Sequence, residues 1–259
     1  MLNTIREIYD YRAMIQSLVK RDLRGKYLAS VLGFLWTFIL PLCQLLIYTA
    51  VFSVIMRAGI EKFYLYLFVA LIPWNFCSTS LTGGANSVIN QQAMVTKIYF
   101  PREVLPIAYT TSAFINMLYC YIVVFVVCLF SGVHFHPLGL MCLPIVMLVE
   151  YIFVLGLVMI FSAVTVYLRD LEHILNLVAM AWMFMTPIMY TIEQVPEKLR
   201  FIFRLNPMTG IIQTYRSIMY YGQVPHMEQL FSSVVVGIVF LFLGFFVFGK
   251  LKIRFAEEM

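Results

Sequence analysis

The chain has 259 residues, of which 62% are hydrophobic and only 12% charged, with 23 Phe and 16 Tyr. A soluble domain cannot bury that much apolar surface, whereas a lipid bilayer accommodates it, so an ordinary globular enzyme is excluded and a polytopic membrane protein is predicted. The formal net charge of +5 decides little by itself; where the charges fall along the chain decides topology.

Residues 1–30 form the first unit. Within it, residues 4–27 predict an amphipathic helix, with Ile5, Ile8, Ile15, Leu18, Val19 and Leu23 on one face. Arg6, Lys20, Arg21 and Arg24 cluster opposite, the pattern of a helix lying in the membrane interface. Arg12 and Lys26 fall outside that split, and a solvated charged helix is the alternative. No cleavable signal is expected, because the basic region is long and the apolar run after it is a full span.

Six spans follow, at 31–56, 63–89, 104–130, 138–167, 174–192 and 230–249. Pro41 predicts a kink in the first, and Pro187 a bend in the fifth. The second is impure: Pro73, Asn75, Ser78, Thr79, Ser80 and Gly83 need partners within the protein or a hydrated cavity, which makes it a candidate channel wall.

Between the fifth and sixth spans, residues 186–222 are too apolar for a solvent loop and too polar for a span. Asn206 and Pro207 read as an N-cap and first helical residue, and Gly222 as the stop. The helix between them is about 22 Å long at ~1.5 Å per residue, too short to cross the hydrocarbon core. Its apolar stripe is Met208, Ile211, Ile212, Tyr215 and Met219, with Thr209, Gln213, Arg216 and Tyr220 on the other side. A shorter helix over 196–204 precedes it. The pair, 195–222, predicts a hairpin that dips into the membrane and returns; a hairpin lying flat on the surface is the alternative.

An even number of spans puts both termini on one side. The segments on that side hold Arg6, Arg12, Lys20, Arg21, Arg24, Lys26, Lys97, Arg102, Arg169, Lys250, Lys252 and Arg254. The opposite side holds Arg57, Lys62, Lys198, Arg200, Arg204 and Arg216, most of them in the long hairpin. The positive-inside rule therefore predicts cytoplasmic termini.

No G-x-x-x-x-G-K-[ST] phosphate loop, G-x-S-x-G, H-E-x-x-H or C-x-x-C pattern occurs, so neither ATP hydrolysis nor a familiar hydrolase is expected of this chain. The five cysteines sit in or beside apolar runs and imply no disulfide framework or metal site. His134 and His136 stand at spacing two without further ligands nearby, and no metal is expected. Glu150 is the lone acid deep in a span, which makes it a functional candidate. A hydrogen-bonded glutamic acid holding helices together is the favoured account of it.

The loop 91–103, QQAMVTKIYFPRE, is the most distinctive connection. Lys97, Tyr99, Phe100, Pro101, Arg102 and Glu103 combine aromatics and charges around a proline, a rigid knob suited to docking into a groove on a soluble partner.

Five ordered blocks carry a family resemblance: KRDLRGKYLASVLGFLWTFILPL (20–42), KIYFPREVLPI (97–107), VYLRDLEHIL (166–175), TPIMY (186–190) and NPMTGIIQTYR (206–216). Together they resemble the permease subunits of type-2 ATP-binding-cassette exporters, in the branch that exports O-antigen, capsular polysaccharide or teichoic acid. The resemblance implies a homodimer with two copies of a separate ATPase subunit, which carries the ATP and magnesium, and no cofactor on this chain. It implies a lipid-linked polysaccharide substrate, a bacterial cytoplasmic membrane location, and no nucleic-acid partner. It makes 91–103 the coupling loop seated in the ATPase and 195–222 the gate at the outer mouth. A drug or small-lipid exporter of the same architecture is the alternative; an ion-coupled carrier and a polyprenyl-phosphate enzyme are the rivals from other classes.

On this reading the carrier's pyrophosphate meets Arg21, Arg24 and Lys26 at the inner entrance. Sugar faces stack on path-lining aromatics, with Trp36, Tyr48, Trp74, Tyr119 and Trp182 as candidates. The outer gate comprises Pro187, Tyr190, Asn206, Pro207, Tyr215, Arg216 and Tyr220. Tyr215 and Tyr220 close the path, and Pro187 and Gly222 serve as hinges.

Overall fold

The computed structural model describes residues 2–25, 32–51 and 59–258. Every regular element among them is helical. In chain order they are α1 (Leu2–Asp10), α2 (Arg12–Gly25), α3 (Trp36–Thr49), α4 (Phe63–Ala85), α5 (Gln92–Lys97), α6 (Val104–Phe130), α7 (Pro137–Thr165), α8 (Leu171–Phe184), α9 (Glu197–Leu205), α10 (Pro207–Met219), α11 (Met227–Leu251) and α12 (Phe255–Glu258).

Four stretches are long and apolar enough to cross a membrane: Phe63–Ala85, Val104–Phe130, Pro137–Thr165 and Phe231–Arg254. They match the second, third, fourth and sixth expected spans. The apolar helices Gly33–Thr49 and Leu171–Phe184 are shorter. The first expected span, 31–56, runs at both ends into residues outside the described set. Pro41 lies inside α3 without ending it. The fifth is a correction: α8 stops at Phe184, and residues 185–191 turn rather than continue, so Pro187 lies beyond the helix instead of bending it. The cause is local, because Pro187 bars an α-helical conformation for Thr186 and has no N–H of its own to give.

The second expected span runs through the centre of the bundle, and its Asn75 and Thr79 border a cavity shared with α3 and α6. α4 packs against α3, α6, α7, α8 and α10, and Leu65, Leu67, Val69, Ala70 and Leu71 are wholly buried. Several of its polar residues find partners at short range, while Ser80 Oγ is buried with none among the described residues. Thr79 and Thr82 donate to the carbonyls four residues earlier, and Asn75 donates to Gln44 of α3 at 3.1 Å. The tightest pairing is α7 with α11, where glycines allow the backbones to meet. A Cβ on Gly156 would stand 2.5 Å from the Phe240 carbonyl, and one on Gly244 2.5 Å from the Gly156 carbonyl oxygen.

The bundle has two distinct ends. At one, Phe100, Val104, Met159, Val166, Phe248 and Phe255 form an apolar cluster, with Tyr11, Met14, Ile15 and Leu18 packed against it. Segments near both termini therefore meet at this tail end. At the other, Lys62 and Tyr64 bond to Ser131. The His136 amide donates to the Gly222 carbonyl there, and His136 caps α7. Gly222 has φ +65° and its Cβ position lies 2.1 Å from the His134 carbonyl oxygen, so only glycine fits the turn out of the hairpin.

Candidate functional site

The hairpin α9–α10 is built as expected at its turn. Pro207 opens α10, and Asn206 is its N-cap, accepting from the Met208 amide at 3.1 Å. Asn206 does more than cap. Its Oδ1 also accepts from the Trp182 indole at 2.9 Å, and its Nδ2 donates to the Met185 carbonyl and to Thr186 Oγ1. One side chain thus staples the start of α10 to the end of α8.

The two-sided pattern read for α10 is a correction. Met208, Ile211, Ile212, Tyr215 and Met219 are buried as expected, but Thr209 and Arg216, expected on the opposite side, are buried too. The helix is enclosed by α4, α7 and α11 on several sides, and its polar face narrows to a half-exposed stripe through Gln213, Ser217 and Tyr220. A helix lying flat on a surface is excluded for α10.

Arg216, 3% exposed, is the centre of this site. Its Nη1 and Nη2 donate to the carbonyls of Pro187 and Ile188, both at 2.5 Å, and its Nε donates to the Tyr66 carbonyl at 3.3 Å. The guanidinium lies 3.5 Å from the Tyr66 ring centroid. Among the described residues no carboxylate reaches it; carbonyl dipoles and an aromatic face carry the charge instead. Tyr66 closes the circuit by donating to the Tyr190 carbonyl at 3.1 Å. Tyr190 donates to Phe184, and Tyr220 to the Glu61 carbonyl. A cavity of about 290 Å³ opens beside Arg216, bordered by Gln213, Ser217, Tyr221 and His226.

Tyr215 is wholly buried and donates to Glu150 of α7. Its ring also lies 5.2 Å from that of Tyr121. Tyr215 thus packs within the protomer, which corrects the expectation that its ring projects into a path. The Glu150 contact agrees with a glutamic acid that holds helices together.

The five candidate path aromatics do not share one environment. Trp74 is 2% exposed and stacks edge-on with Trp182, which in turn meets Phe153. Trp74 belongs to the protomer core, because α4 is central, whereas Trp182 of α8 is half-buried against it. Trp36 is exposed, while Tyr48 and Tyr119 are half-buried. Trp36 borders a cavity of about 510 Å³ between α3, α4 and α6, together with Gln44, Asn75, Thr79 and Asn116. Tyr48 accepts from Gln44 at 3.3 Å, and Tyr119 stacks on Phe34.

The 91–103 loop divides into an outer and an inner half. Lys97, Ile98 and Tyr99 project, with Tyr99 91% exposed. Phe100, 5% exposed, and Pro101 turn inward, which corrects the expectation that Phe100 is one of the docking aromatics of the knob. The apolar cluster at the tail end claims Phe100. Arg102 and Glu103 also face inward, and both engage Lys252. Of the entrance cations, Arg21 and Arg24 are exposed. Arg21 borders a small cavity with Asp22, Asn90 and Tyr109. Lys26 lies outside the described residues.

Sequence reasoning missed the Arg216 clamp and the Lys252 contacts. Arg216 carried one signal, a cation set among buried-type residues in a helix too short to span.

Comparison with known proteins now adds a lineage. The family described as ABC-2 type transporter matches residues 13–220. The O-antigen export system permease protein RfbA of Myxococcus xanthus is 33% identical over 261 residues, covering all of both chains. The RfbA of Klebsiella pneumoniae is 32% identical over 93% of this chain and 92% of its own. The polysialic acid transport protein KpsM of Escherichia coli is more distant, at 20% identity over 90% of this chain and 91% of its own.

Proposed function

Because this chain belongs to the ABC-2 type transporter family, we propose that it is the channel-forming permease subunit of an ATP-driven exporter, and that its cargo is a lipid-linked polysaccharide. The observation that carries this reading is end-to-end similarity to permeases named for O-antigen export. A polysialic acid transport protein in the wider set keeps the cargo class constant while the sugar changes.

The finer mechanism is part of the same proposal. Two copies of the permease pair with two copies of an ATPase subunit that binds ATP and magnesium. Both termini lie in the cytoplasm, where α1 and α2 rest along the membrane interface. α3, α4, α6, α7, α8 and α11 serve as the six spans, with α8 completed by the turns after it. The α9–α10 hairpin re-enters from the outer face and forms the gate. Arg21, Arg24 and Lys26 meet the carrier's pyrophosphate at the inner entrance. Tyr99 and Ile98 supply the apolar contact to the ATPase, a pair of exposed large side chains at the tip of a rigid loop. Trp36, Tyr48, Tyr119 and Trp182 are the path aromatics that remain at least partly accessible for stacking on sugar faces.

Depletion of the protein in its native cell tests the function. Lipid-linked polymer is expected to accumulate on the inner leaflet while surface polymer disappears. Normal surface polymer, or export of a drug or small lipid lost instead, would overturn the polysaccharide reading.

A further inference from the structure

The chain does not simply stop after its last long helix. Lys252, just beyond α11, reaches back to the loop before α6, where its Nζ lies 2.6 Å from Oε1 of Glu103. Glu103 is 2% exposed, and its other oxygen, Oε2, is buried with no hydrogen-bond partner among the described residues. The neighbouring Arg102 donates to the Lys252 carbonyl and stands 5.8 Å over the Phe255 ring. Phe255 is wholly buried against Phe248 and Tyr167, and the Tyr167 hydroxyl donates to the Leu251 carbonyl at 2.8 Å. The tail is therefore tied to the 91–103 loop by an ion pair, a hydrogen bond from the Arg102 side chain to the tail backbone, and an aromatic wedge.

These ties are specific. A buried carboxylate with one oxygen unpaired depends on its single cation, and removing that cation leaves a desolvated charge. A tail that served only to end a helix would need no such contact.

We propose that residues 252–258 are a working part of the ATPase-coupling platform, in which Lys252 and Glu103 are positioning residues that make a push at Tyr99 move α6 and α11 together. The proposal rests on the reading of 91–103 as the ATPase contact. Along the chain, force on Tyr99 passes forward into α6 at Val104 and back through α5, and Phe100 spreads it into the apolar cluster. The tail adds a polar tie from the same loop to the base of α11. That helix is locked backbone-to-backbone along α7 through Gly244 and Gly156, and its far end begins just after Gly222 of the hairpin. The last helix thus gives the motor a direct line to the gate. Beside Lys252, Ile253 stays 77% exposed at the tail end, available to the same partner.

The test uses the full permease co-expressed with its ATPase, reading three quantities: complex recovered, ATP hydrolysed by the complex, and polymer exported to the cell surface. Lys252→Met is expected to lower polymer exported per ATP hydrolysed by roughly tenfold per assembled complex, and Lys252→Arg to preserve it. The neutral pair Glu103→Gln with Lys252→Met removes the desolvated charge, and it is expected to remain uncoupled. If that pair exports normally per ATP, or if Lys252→Met reduces export only in proportion to complex recovered, the proposal is overturned. Tyr99→Ala separates the two readings. If it uncouples while Lys252→Met does not, only the tail's role fails. If it changes nothing, the loop is not the ATPase contact and both fail.

Discussion

The hydroxyl of Tyr215 donates a 2.7 Å hydrogen bond to Oε2 of Glu150, joining the middle of α10 to the middle of α7 with both side chains wholly buried. The second Glu150 oxygen has no partner among the described residues. Tyr215→Phe would leave the whole carboxyl without one. A loss of about 1–3 kcal/mol is expected, read as a lower melting temperature of the purified protein in detergent. The double variant Tyr215→Phe with Glu150→Leu is expected to recover much of it, because both polar groups leave together. A melting temperature unchanged in Tyr215→Phe would mean that the bond contributes nothing.

Arg216→Lys tests the carbonyl clamp. An ammonium cannot reproduce a planar fork that reaches Pro187, Ile188 and Tyr66 at once. A cost of about 2–4 kcal/mol is expected from lost charge-assisted bonds and incomplete solvation of the buried cation. Limited proteolysis after Tyr190 should accelerate in the variant if the clamp fixes that segment, and should stay at the parent rate if it does not.

Asn206 separates capping from stapling. Asn206→Asp keeps an acceptor for the Met208 amide and the Trp182 indole but loses the donors to Met185 and Thr186. Asn206→Ala loses all four contacts. Alanine is expected to cost about 1–2 kcal/mol, with aspartate between it and the parent. Trp182 fluorescence should shift in the alanine variant alone, since only there does the indole N–H lose its acceptor.

Neighbours in the 91–103 loop should give opposite phenotypes. Phe100→Ala empties a place in the tail-end cluster, and about 3–5 kcal/mol of stability should be lost. Tyr99→Ala touches an exposed ring and should leave stability within about 0.5 kcal/mol, while weakening recovery of the ATPase with the purified permease. Equal stability losses for the two would contradict the inward–outward division of the loop.

Gly156→Ala should overpack the α7–α11 seam, where a Cβ would stand 2.5 Å from the Phe240 carbonyl. A cost of about 1–3 kcal/mol is expected. Gly249→Ala, with nothing within 4 Å of its Cβ position, is the matched control on α11 and should melt with the parent.

Local features were legible in the residues. The Asn206–Pro207 start of α10 and the Gly222 turn were readable because capping and left-handed backbone select residue types within a few positions. Glu150 stood out because a lone acid in an apolar helix needs a partner. What that partner was could not be read, since Tyr215 lies far along the chain and many tyrosines were equally available. Trp74 was misjudged for the same reason: it looks like a path-lining ring until α4 is seen to run through the centre of the bundle.

The sequence by itself determined the material and its grain: an apolar helical chain, the positions of four long crossings, a broken hairpin before the last, and a loop of unusual texture at 91–103. These follow from period, length and capping, all of which act over one helix at a time. Only the tertiary structure decided which face of each helix is inside. It buried Thr209 and Arg216 along with the apolar stripe of α10, turned Arg216 onto carbonyls, drew Phe100 inward and left Tyr99 out, and brought Lys252 to Glu103. The physical reason is that hydropathy no longer separates inside from outside where both lipid and protein interior are apolar. There the packing partners, and not the residue's own polarity, settle where a side chain lies.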